Sequence, residues 1–330
     1  MITFITMSLS KNSGKRQLVF PLLVFKIFIV CAILALAIYV IARLLRQYTY
    51  EEILRAITGI ERRQLIIALA LSVINYFVLS FYDAIGLHYV KRNLSYVRVL
   101  FVSLIGHSFS NNMGFALLSG GAVRYRFYSY WGLTAGDVSK MVAFTGFHYW
   151  SCLFLLGGFA FYFEPEIVTT HLKIPEYSVY LFGLVIQLPT IAYLIWTWRG
   201  RQPALVKSWN LLLPSFQTAS LALIVAAIDW MLAAFILYSL FPNLPELHYG
   251  TILAAYFIAQ VLAVLSHIPG GLGVFEAVVL YSFQTVGLTE IFGALIIYRL
   301  IYYILPFLVS AALFVLFELT RRKKRPKLIP

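Results

Sequence analysis

The sequence predicts an all-α polytopic membrane protein with about six full spans and two broken or re-entrant helical hairpins. Apolar residues make up 61% of the 330 residues and charged residues only 12%, whereas soluble domains are nearer half apolar and a quarter charged. Apolar runs of bilayer-crossing length recur, as in Val24–Ala42. These runs do not alternate apolar and polar residues as the strands of a membrane barrel do.

The spans follow from the apolar runs and form a single membrane domain over residues 1–330. We read the first run as a transmembrane helix, because its apolar core is too long for a signal peptide and no cleavage-site pattern follows it. Two apolar segments, near 97–118 and 250–287, are interrupted by polar residues and glycines. Full spans are predicted near 19–42, 65–90, 138–163, 177–198, 216–241 and 291–318.

The net charge of +13 indicates an anionic lipid surface as partner, not nucleic acid, because the basic residues sit beside the spans. The lysine and arginine bias of short loops places the N-terminus, the loop near Arg199 and the basic tail 319–330 in the cytoplasm. This orientation requires each interrupted segment to dip into the membrane and return, or to cross it twice. The predicted location is the inner membrane of a bacterium.

An inverted-topology repeat is expected, with one half near 19–163 and the other near 177–318. Asn75-Tyr76 corresponds to Asp229-Trp230 at a separation of 154 residues, and the tripeptide Gly-Leu-Thr recurs at 132–134 and 287–289. Each threonine of the tripeptide is expected to cap a new helix, and Thr134 forms a capping-box pattern with Asp137. Inverted repeats of this kind are typical of secondary transporters.

Two glycine pairs are expected to break helices at membrane depth, one in Ser119–Gly121 and the other in Pro269–Gly271. The helix after Pro269–Gly271 would present free N–H groups and a positive dipole end, which favour a phosphate. The alternative is that the glycines only permit close helix packing. Their corresponding places in the two halves favour a substrate site, which includes Gly120, Gly121, Pro269, Gly270 and Gly271.

Ionisable residues inside apolar spans are candidates for function. Glu276 and Asp229 could bind a cationic group or carry a proton, and Glu276 could instead form a purely structural ion pair with Arg299. Asp83 lies near a span end, so we expect it to be solvated. Arg299 could bind phosphate through its guanidinium fork.

The remaining candidates for substrate binding surround the interrupted segments. Arg124, Arg126 and Tyr125 could hold a phosphate or could anchor the chain at the interface. Asn111 and Asn112 are expected at the first break, as backbone caps or substrate contacts. His267 and Tyr302 complete the set, although the histidines are first expected to pack and to hydrogen-bond.

The sequence contains no P-loop, no H-E-x-x-H and no G-x-S-x-G motif, so no catalytic residue is assigned. The two cysteines and six histidines show no metal-ligand spacing, and no metal or other cofactor is expected.

Three stretches carry a family resemblance: SHIPGGLGVFEA from Ser266, LLSGGAVRYRFYSYWGLT from Leu117 and YRLIYYILP from Tyr298. They resemble the lysylphosphatidylglycerol synthase transmembrane family, which includes the membrane module of bacterial multiple peptide resistance factor, and the likeness runs from about 20 to 320. In that factor the module is regarded as a flippase for aminoacylated phosphatidylglycerol, which links it to antimicrobial peptide resistance. A separate domain makes the lipid.

The resemblance implies movement of a phospholipid, anionic or aminoacylated, and not aminoacyl transfer, because no synthase-like segment follows up to Pro330. A separate synthase partner and a homodimer stay open, and the chain could be a piece of a longer protein. Alternatives from other classes are a non-transporting partner of a lipid- or envelope-modifying enzyme, a membrane transferase using Glu276 as general base, and a transporter of small solutes or ions.

Overall fold

The structure is a computed structural model that describes residues 51, 54, 58–112, 116–166, 168–169, 173–200, 213–242, 247–265, 271–283 and 288–321. The chain divides into two compact units. One unit comprises Thr49–Ser310, and the other comprises Met1–Tyr48 with Ala311–Pro330, of which Ala311–Arg321 is described. The larger unit contains every cluster discussed below.

The described residues form helices and no strands, as the fold class predicts. A 3₁₀ turn at Ser129–Trp131 and a π-helical turn at Arg299–Ile304 interrupt the α-helical pattern. In chain order the α-helices are α1 (Arg62–Tyr89), α2 (Tyr96–Asn112), α3 (Ala116–Tyr128), α4 (Ala135–Phe163), α5 (Glu176–Arg199), α6 (Phe216–Leu240), α7 (Tyr249–Leu265), α8 (Val274–Ser282), α9 (Leu288–Tyr298) and α10 (Leu305–Arg321).

Five helical stretches are long and apolar enough to cross a membrane. They coincide with the five predicted spans that begin at residue 65 or later, and the predicted first span at 19–42 lies outside the described residues. The last stretch runs through the π-helical turn, which the sequence reading missed. The five stretches are Arg62–Tyr89, Ala135–Phe163, Glu176–Arg199, Phe216–Leu240 and Glu290–Thr320.

Helix α6 lies at the centre of the larger unit, where it packs against α1, α4, α7 and α9. Its contact surfaces carry small side chains, and Ala222, Ala226 and Ala234 are completely buried. Small residues allow membrane helices to approach closely. Such close packing stabilises helix association in a membrane, where apolar burial alone gives little preference for a neighbouring helix over lipid.

The structure confirms the predicted N-cap at Thr134. Its hydroxyl accepts the N–H of Asp137 at 3.1 Å, and the Asp137 carboxylate accepts the N–H of Thr134 at 3.0 Å. The corresponding prediction for Thr289 is wrong, because α9 already includes Leu288 and an N-cap must precede the first helical residue.

Helix α2 ends at Asn112 and α3 begins at Ala116. Gly120 and Gly121 lie inside α3, so the prediction that they break the helix is wrong. A built Cβ at Gly120 would overlap the Ser110 hydroxyl of α2. The glycine is therefore a point of close approach between α2 and α3, the packing role that the sequence left as the alternative.

The chain is not α-helical at Gly271–Gly273, just before α8 begins at Val274, as the sequence predicts for the end of Pro269–Gly271. Gly271 and Gly273 adopt positive φ angles of 62° and 85°, a region that glycine occupies without strain. The predicted positions His267, Pro269 and Gly270 lie outside the described residues.

The contact between α4 and α5 generates the first prediction. A Cβ built at Gly183 would lie 2.9 Å from the carbonyl oxygen of Gly158, a backbone atom that cannot move without shifting the helix. We expect Gly183→Val to lower the free energy of unfolding by about 1–3 kcal/mol through overpacking. SDS-induced unfolding in mixed micelles measures the change.

The matched control is Gly136→Val, on the exposed first turn of α4, where a Cβ meets nothing closer than 3.7 Å. An equal loss of stability for the two variants would show that the α4–α5 contact is not constrained at Gly183.

Candidate functional site

A buried ion pair joins α1 to α3 in the first half of the larger unit. The guanidinium of Arg124 approaches Asp83 with Nε 3.0 Å from both carboxylate oxygens and with Nη2 2.9 Å from Oδ1. Tyr128 donates its hydroxyl to Oδ2 at 3.0 Å. Asp83 is 0% exposed and Arg124 4%, so the charges are compensated by each other and not by water.

Two glycines make room for this arginine between α2 and α3. A Cβ at Gly106 would lie 3.0 Å from Arg124 Nη1, and a Cβ at Gly120 would lie 2.9 Å from the same atom. Any larger residue at Gly120 would push the guanidinium off the carboxylate or force the helices apart. Gly106 and Gly120 therefore position Arg124.

Arg124 also lines a cleft between α1, α2, α3 and α4, with about 510 Å³ of empty space including its open mouth. Helix α2 contributes His107, Ser110 and Asn111 to the cleft, which makes one wall polar. The rest of the lining is mostly aromatic and aliphatic. Its other lining residues are Tyr82, Val142, Thr145, Gly146, Tyr149 and Trp150.

A second buried ion pair joins α8 to the π-helical turn. Arg299 donates from Nε to Glu276 Oε1 at 2.6 Å, and the Gly273 N–H donates to Glu276 Oε2 at 2.8 Å. The guanidinium carbon lies 4.7 Å from the Tyr303 ring centroid and 5.3 Å from that of Phe275. The Glu276 carboxylate thus occupies the start of α8, where the sequence predicts a phosphate.

Asp229 lies at the crossing of α1 and α6 and is 1% exposed. Asn75 donates its side-chain amide to the backbone carbonyl of Asp229 at 2.9 Å, and Tyr302 donates its hydroxyl to Asn75 Oδ1 at 3.2 Å. Within the described part of the chain, Asp229 Oδ1 has no hydrogen-bond partner. Among the described residues, Asp229 thus has no ion-pair partner, although it lies buried where α1 contacts α6.

The predicted site residues separate into distinct clusters. Arg124 and Asn111 meet at the cleft, whereas Glu276 and Arg299 pair with each other. Asn112 closes α2 by donating to the Ser108 carbonyl at 2.8 Å, and it also donates to the Tyr303 carbonyl at 3.2 Å. It therefore serves the capping role that the sequence allowed.

The other predicted residues that the structure describes do not themselves line the cleft. Tyr125 is exposed on α3, and Arg126 follows it on the same helix. Gly121 approaches Val142 of α4, and Gly271 packs against Ala263 of α7.

Sequence reasoning missed Asp83 and His107. The prediction that Asp83 is solvated is wrong, because the side chains of α3 cover it although it lies near the end of α1. His107 lines the cleft, and its Nε2 lies 3.5 Å from Asp83 Oδ1. The signal available in the sequence was Arg124 itself, since a buried arginine in an apolar helix requires a carboxylate partner.

Comparisons with known proteins cover almost the whole chain. The family model for the lysylphosphatidylglycerol synthase TM region matches residues 24–310, a range that includes both ion pairs and the cleft. The uncharacterised protein slr0712 of Synechocystis is 35% identical over 287 residues, which cover 86% of this chain and 89% of that protein.

Two further relatives differ in length. The inner membrane protein YbhN of Escherichia coli is 26% identical over 323 residues, which cover 97% of this chain and 98% of that protein. A phosphatidylglycerol lysyltransferase of Staphylococcus aureus is 26% identical over 306 residues, which cover 88% of this chain but only 34% of the lysyltransferase. The similarity to the lysyltransferase thus concerns about a third of its length.

The second ion pair generates a stability prediction. Arg299→Leu should lower the free energy of unfolding by about 3–5 kcal/mol, because it leaves Glu276 buried without its cation. The double variant Glu276→Leu/Arg299→Leu should lose less than Arg299→Leu alone, since no charge is then left uncompensated. A double-mutant cycle by SDS-induced unfolding measures the coupling. Losses that simply add would show that the pair is not coupled.

Proposed function

Because the chain belongs to the lysylphosphatidylglycerol synthase TM region family, we propose that it moves a phospholipid between the leaflets of the bacterial inner membrane. Its N- and C-termini would lie in the cytoplasm. The observation that carries the proposal is the polar cleft lined by Arg124, His107 and Asn111 among helices that are otherwise apolar.

A polar cleft inside a membrane protein lowers the main free-energy barrier to lipid movement, which is the desolvation of the head group. A head group that leaves water for hydrocarbon loses several kcal/mol for each polar group that finds no partner. The cleft offers hydrogen-bonding side chains from α2 and a guanidinium from α3 in place of water. The acyl chains can remain in the bilayer while only the head group passes along the polar wall.

The spacing of the helices supports an inverted repeat that could alternate access to such a cleft. Helices α1 and α6 begin at residues 62 and 216, α2 and α7 at 96 and 249, and α4 and α9 at 135 and 288. The separations are therefore 154, 153 and 153 residues. Helices α2 and α7 each have 17 residues.

The contact between Asn75 and Asp229 adds to this support, because these residues are 154 apart and hydrogen-bond to each other. Corresponding positions of a two-fold repeat can touch only near its axis. We propose that α1 and α6 cross at the axis, and that the two halves rock about this crossing during transport.

The activity in the name of the lysyltransferase stays with that protein, and we propose that this chain performs no aminoacyl transfer itself. A separate enzyme would supply any aminoacylated lipid. A non-transporting partner of such an enzyme is the competing function, and it is an outcome of the following experiment.

The full chain in proteoliposomes is expected to expose phospholipids of the inner leaflet to the outside. Phosphatidylglycerol labelled with NBD on an acyl chain reports this, because external dithionite quenches only the outer-leaflet label. With the protein present, we expect the protected pool to be quenched; in empty vesicles it should stay protected. Glu276→Gln should slow the quenching at least about tenfold, which corresponds to roughly 1.4 kcal/mol, because it weakens the charge pair that ties α8 to the π-helical turn.

The matched control is Glu166→Gln at an exposed position, which should leave the rate unchanged. A wild-type chain that is folded by size-exclusion chromatography but leaves the inner pool protected would contradict transport. Copurification of that chain with a lipid synthase would favour the non-transporting partner.

A further inference from the structure

We propose that the cleft at Arg124 selects an anionic phospholipid, whose phosphodiester bears a head group without positive charge, over a cationic aminoacylated lipid. The proposal rests on the transport function above and names the substrate class of its site. It concerns which head groups the cleft accepts, and it follows from the charges that line the cleft and from the groups that they already bind.

The first step is the orientation of the guanidinium. Arg124 uses Nε and Nη2 for Asp83, in the two-pronged geometry that suits a carboxylate. Among the described residues, the hydrogen bonds and the ion pair of Arg124 engage Nε and Nη2 and leave Nη1 without a partner. Arg124 lines the cleft and Asp83 does not, and Nη1 lies in the space that Gly106 and Gly120 leave open. The proposal therefore assigns Nη1 as the donor for an anion there.

The second step is the charge balance of the lining. Among the residues that the structure describes, the lining of the cleft includes one arginine and no carboxylate. The Asp83 carboxylate is fully buried, and both of its oxygens accept bonds from Arg124 or Tyr128. His107 adds either no charge or a positive one. An ammonium group in the cleft would therefore face the guanidinium of the Asp83–Arg124 pair instead of its carboxylate. Among the described lining residues it would find no free counter-charge, which is unfavourable away from water.

The third step is the neutral part of the lining, which suits a hydroxylated head group. Asn111 and Thr145 offer donors and acceptors without charge, and Trp150 and Tyr149 offer apolar faces. Phosphate oxygens would accept from Arg124 Nη1, while head-group hydroxyls would bond to the amide and hydroxyl groups. A phospholipid with a polyol head group satisfies both requirements.

The two other buried carboxylates described in the larger unit, Glu276 and Asp229, do not supply the missing counter-charge in this cleft. Glu276 is bound by Arg299 and by the Gly273 N–H. Asp229 does not line the cleft and lies at the crossing of α1 and α6. If the cleft did accept the lysyl lipid, one of these two carboxylates would have to contact the ammonium group. Asp229→Asn therefore belongs in the test.

The experiment compares two lipids with identical NBD-labelled acyl chains, phosphatidylglycerol and lysylphosphatidylglycerol, in otherwise neutral phosphatidylcholine vesicles. The wild-type chain should move phosphatidylglycerol at least about tenfold faster than lysylphosphatidylglycerol. A tenfold ratio of rates needs a difference of only about 1.4 kcal/mol between the two free-energy barriers. Equal rates, or a faster lysyl lipid that slows on Asp229→Asn, would overturn the selection but leave transport intact. Failure to move either lipid would instead contradict the transport function itself.

A charge reversal in the lining gives the sharpest variant. Asn111→Asp adds a carboxylate of nearly the same shape to the cleft without touching the Asp83–Arg124 pair. It should slow phosphatidylglycerol and speed the lysyl lipid, so that the rate ratio falls at least about tenfold. Asn93→Asp, at an exposed position between α1 and α2, should leave the ratio unchanged. An unchanged ratio for Asn111→Asp would overturn the proposal.

Removal of the arginine needs a variant that leaves no orphaned charge. Arg124→Gln strands Asp83, so the double variant Asp83→Asn/Arg124→Gln is the informative one. It should slow phosphatidylglycerol at least about tenfold and bring the two rates together. The control Arg92→Gln removes an exposed arginine that also pairs with an aspartate, Asp137 at 3.0 Å, and should change neither rate. An undiminished preference in the folded double variant would contradict the role of Arg124.

A soluble phosphate ester is the other source of the same chemistry. Excess external glycerol 3-phosphate should leave phosphatidylglycerol movement unchanged, because the acyl chains contribute most of the binding to a cleft inside the membrane. Strong inhibition by this ester, absent in the Asp83→Asn/Arg124→Gln variant, would assign the cleft to a soluble phosphate and overturn the lipid assignment.

Discussion

The bidentate pair between Asp83 and Arg124 is the interaction on which the candidate site depends. Neither charge could stay in the apolar interior alone, because an uncompensated ion there costs several kcal/mol. The pair fixes α1 against α3, and Gly106 and Gly120 of the α2–α3 hairpin leave room for the guanidinium. One nitrogen of that guanidinium remains for the cleft. Arg124 therefore both holds α3 against α1 and, in our proposal, selects the head group.

The same desolvation constraint explains the rest of the polar chemistry among the helices. Where a helix is interrupted, its freed backbone groups must find partners inside the protein. Asn112 bonds to backbone carbonyls at the end of α2, and Glu276 accepts the N–H that precedes α8. Glu276 is held in turn by Arg299. The helix start that would suit an anion is thus occupied, which leaves the cleft of the first half as the candidate for head-group binding.

The sequence was sufficient for the five described spans, since long apolar runs are visible without a structure. It offered the Glu276–Arg299 ion pair only as the alternative to a functional site, and the structure shows that pair. The sequence was insufficient for Asp83, because distance from a helix end does not reveal which neighbouring helix covers a side chain. Gly120 and Gly121 misled for a related reason: glycine can break a helix or let two helices touch, and only the position of Ser110 and Arg124 decides between these. The cleft is a product of four helices and has no local signature.

The central claim is that a phospholipid head group enters the cleft and meets Arg124. The most direct test is an experimental structure of the full chain in nanodiscs that contain phosphatidylglycerol. The account predicts phosphate density within hydrogen-bond distance of Arg124 Nη1, with the acyl chains leading from the cleft into the bilayer. A cleft that is closed and dry in the lipid environment, or a lipid phosphate bound only at Arg299, would contradict it.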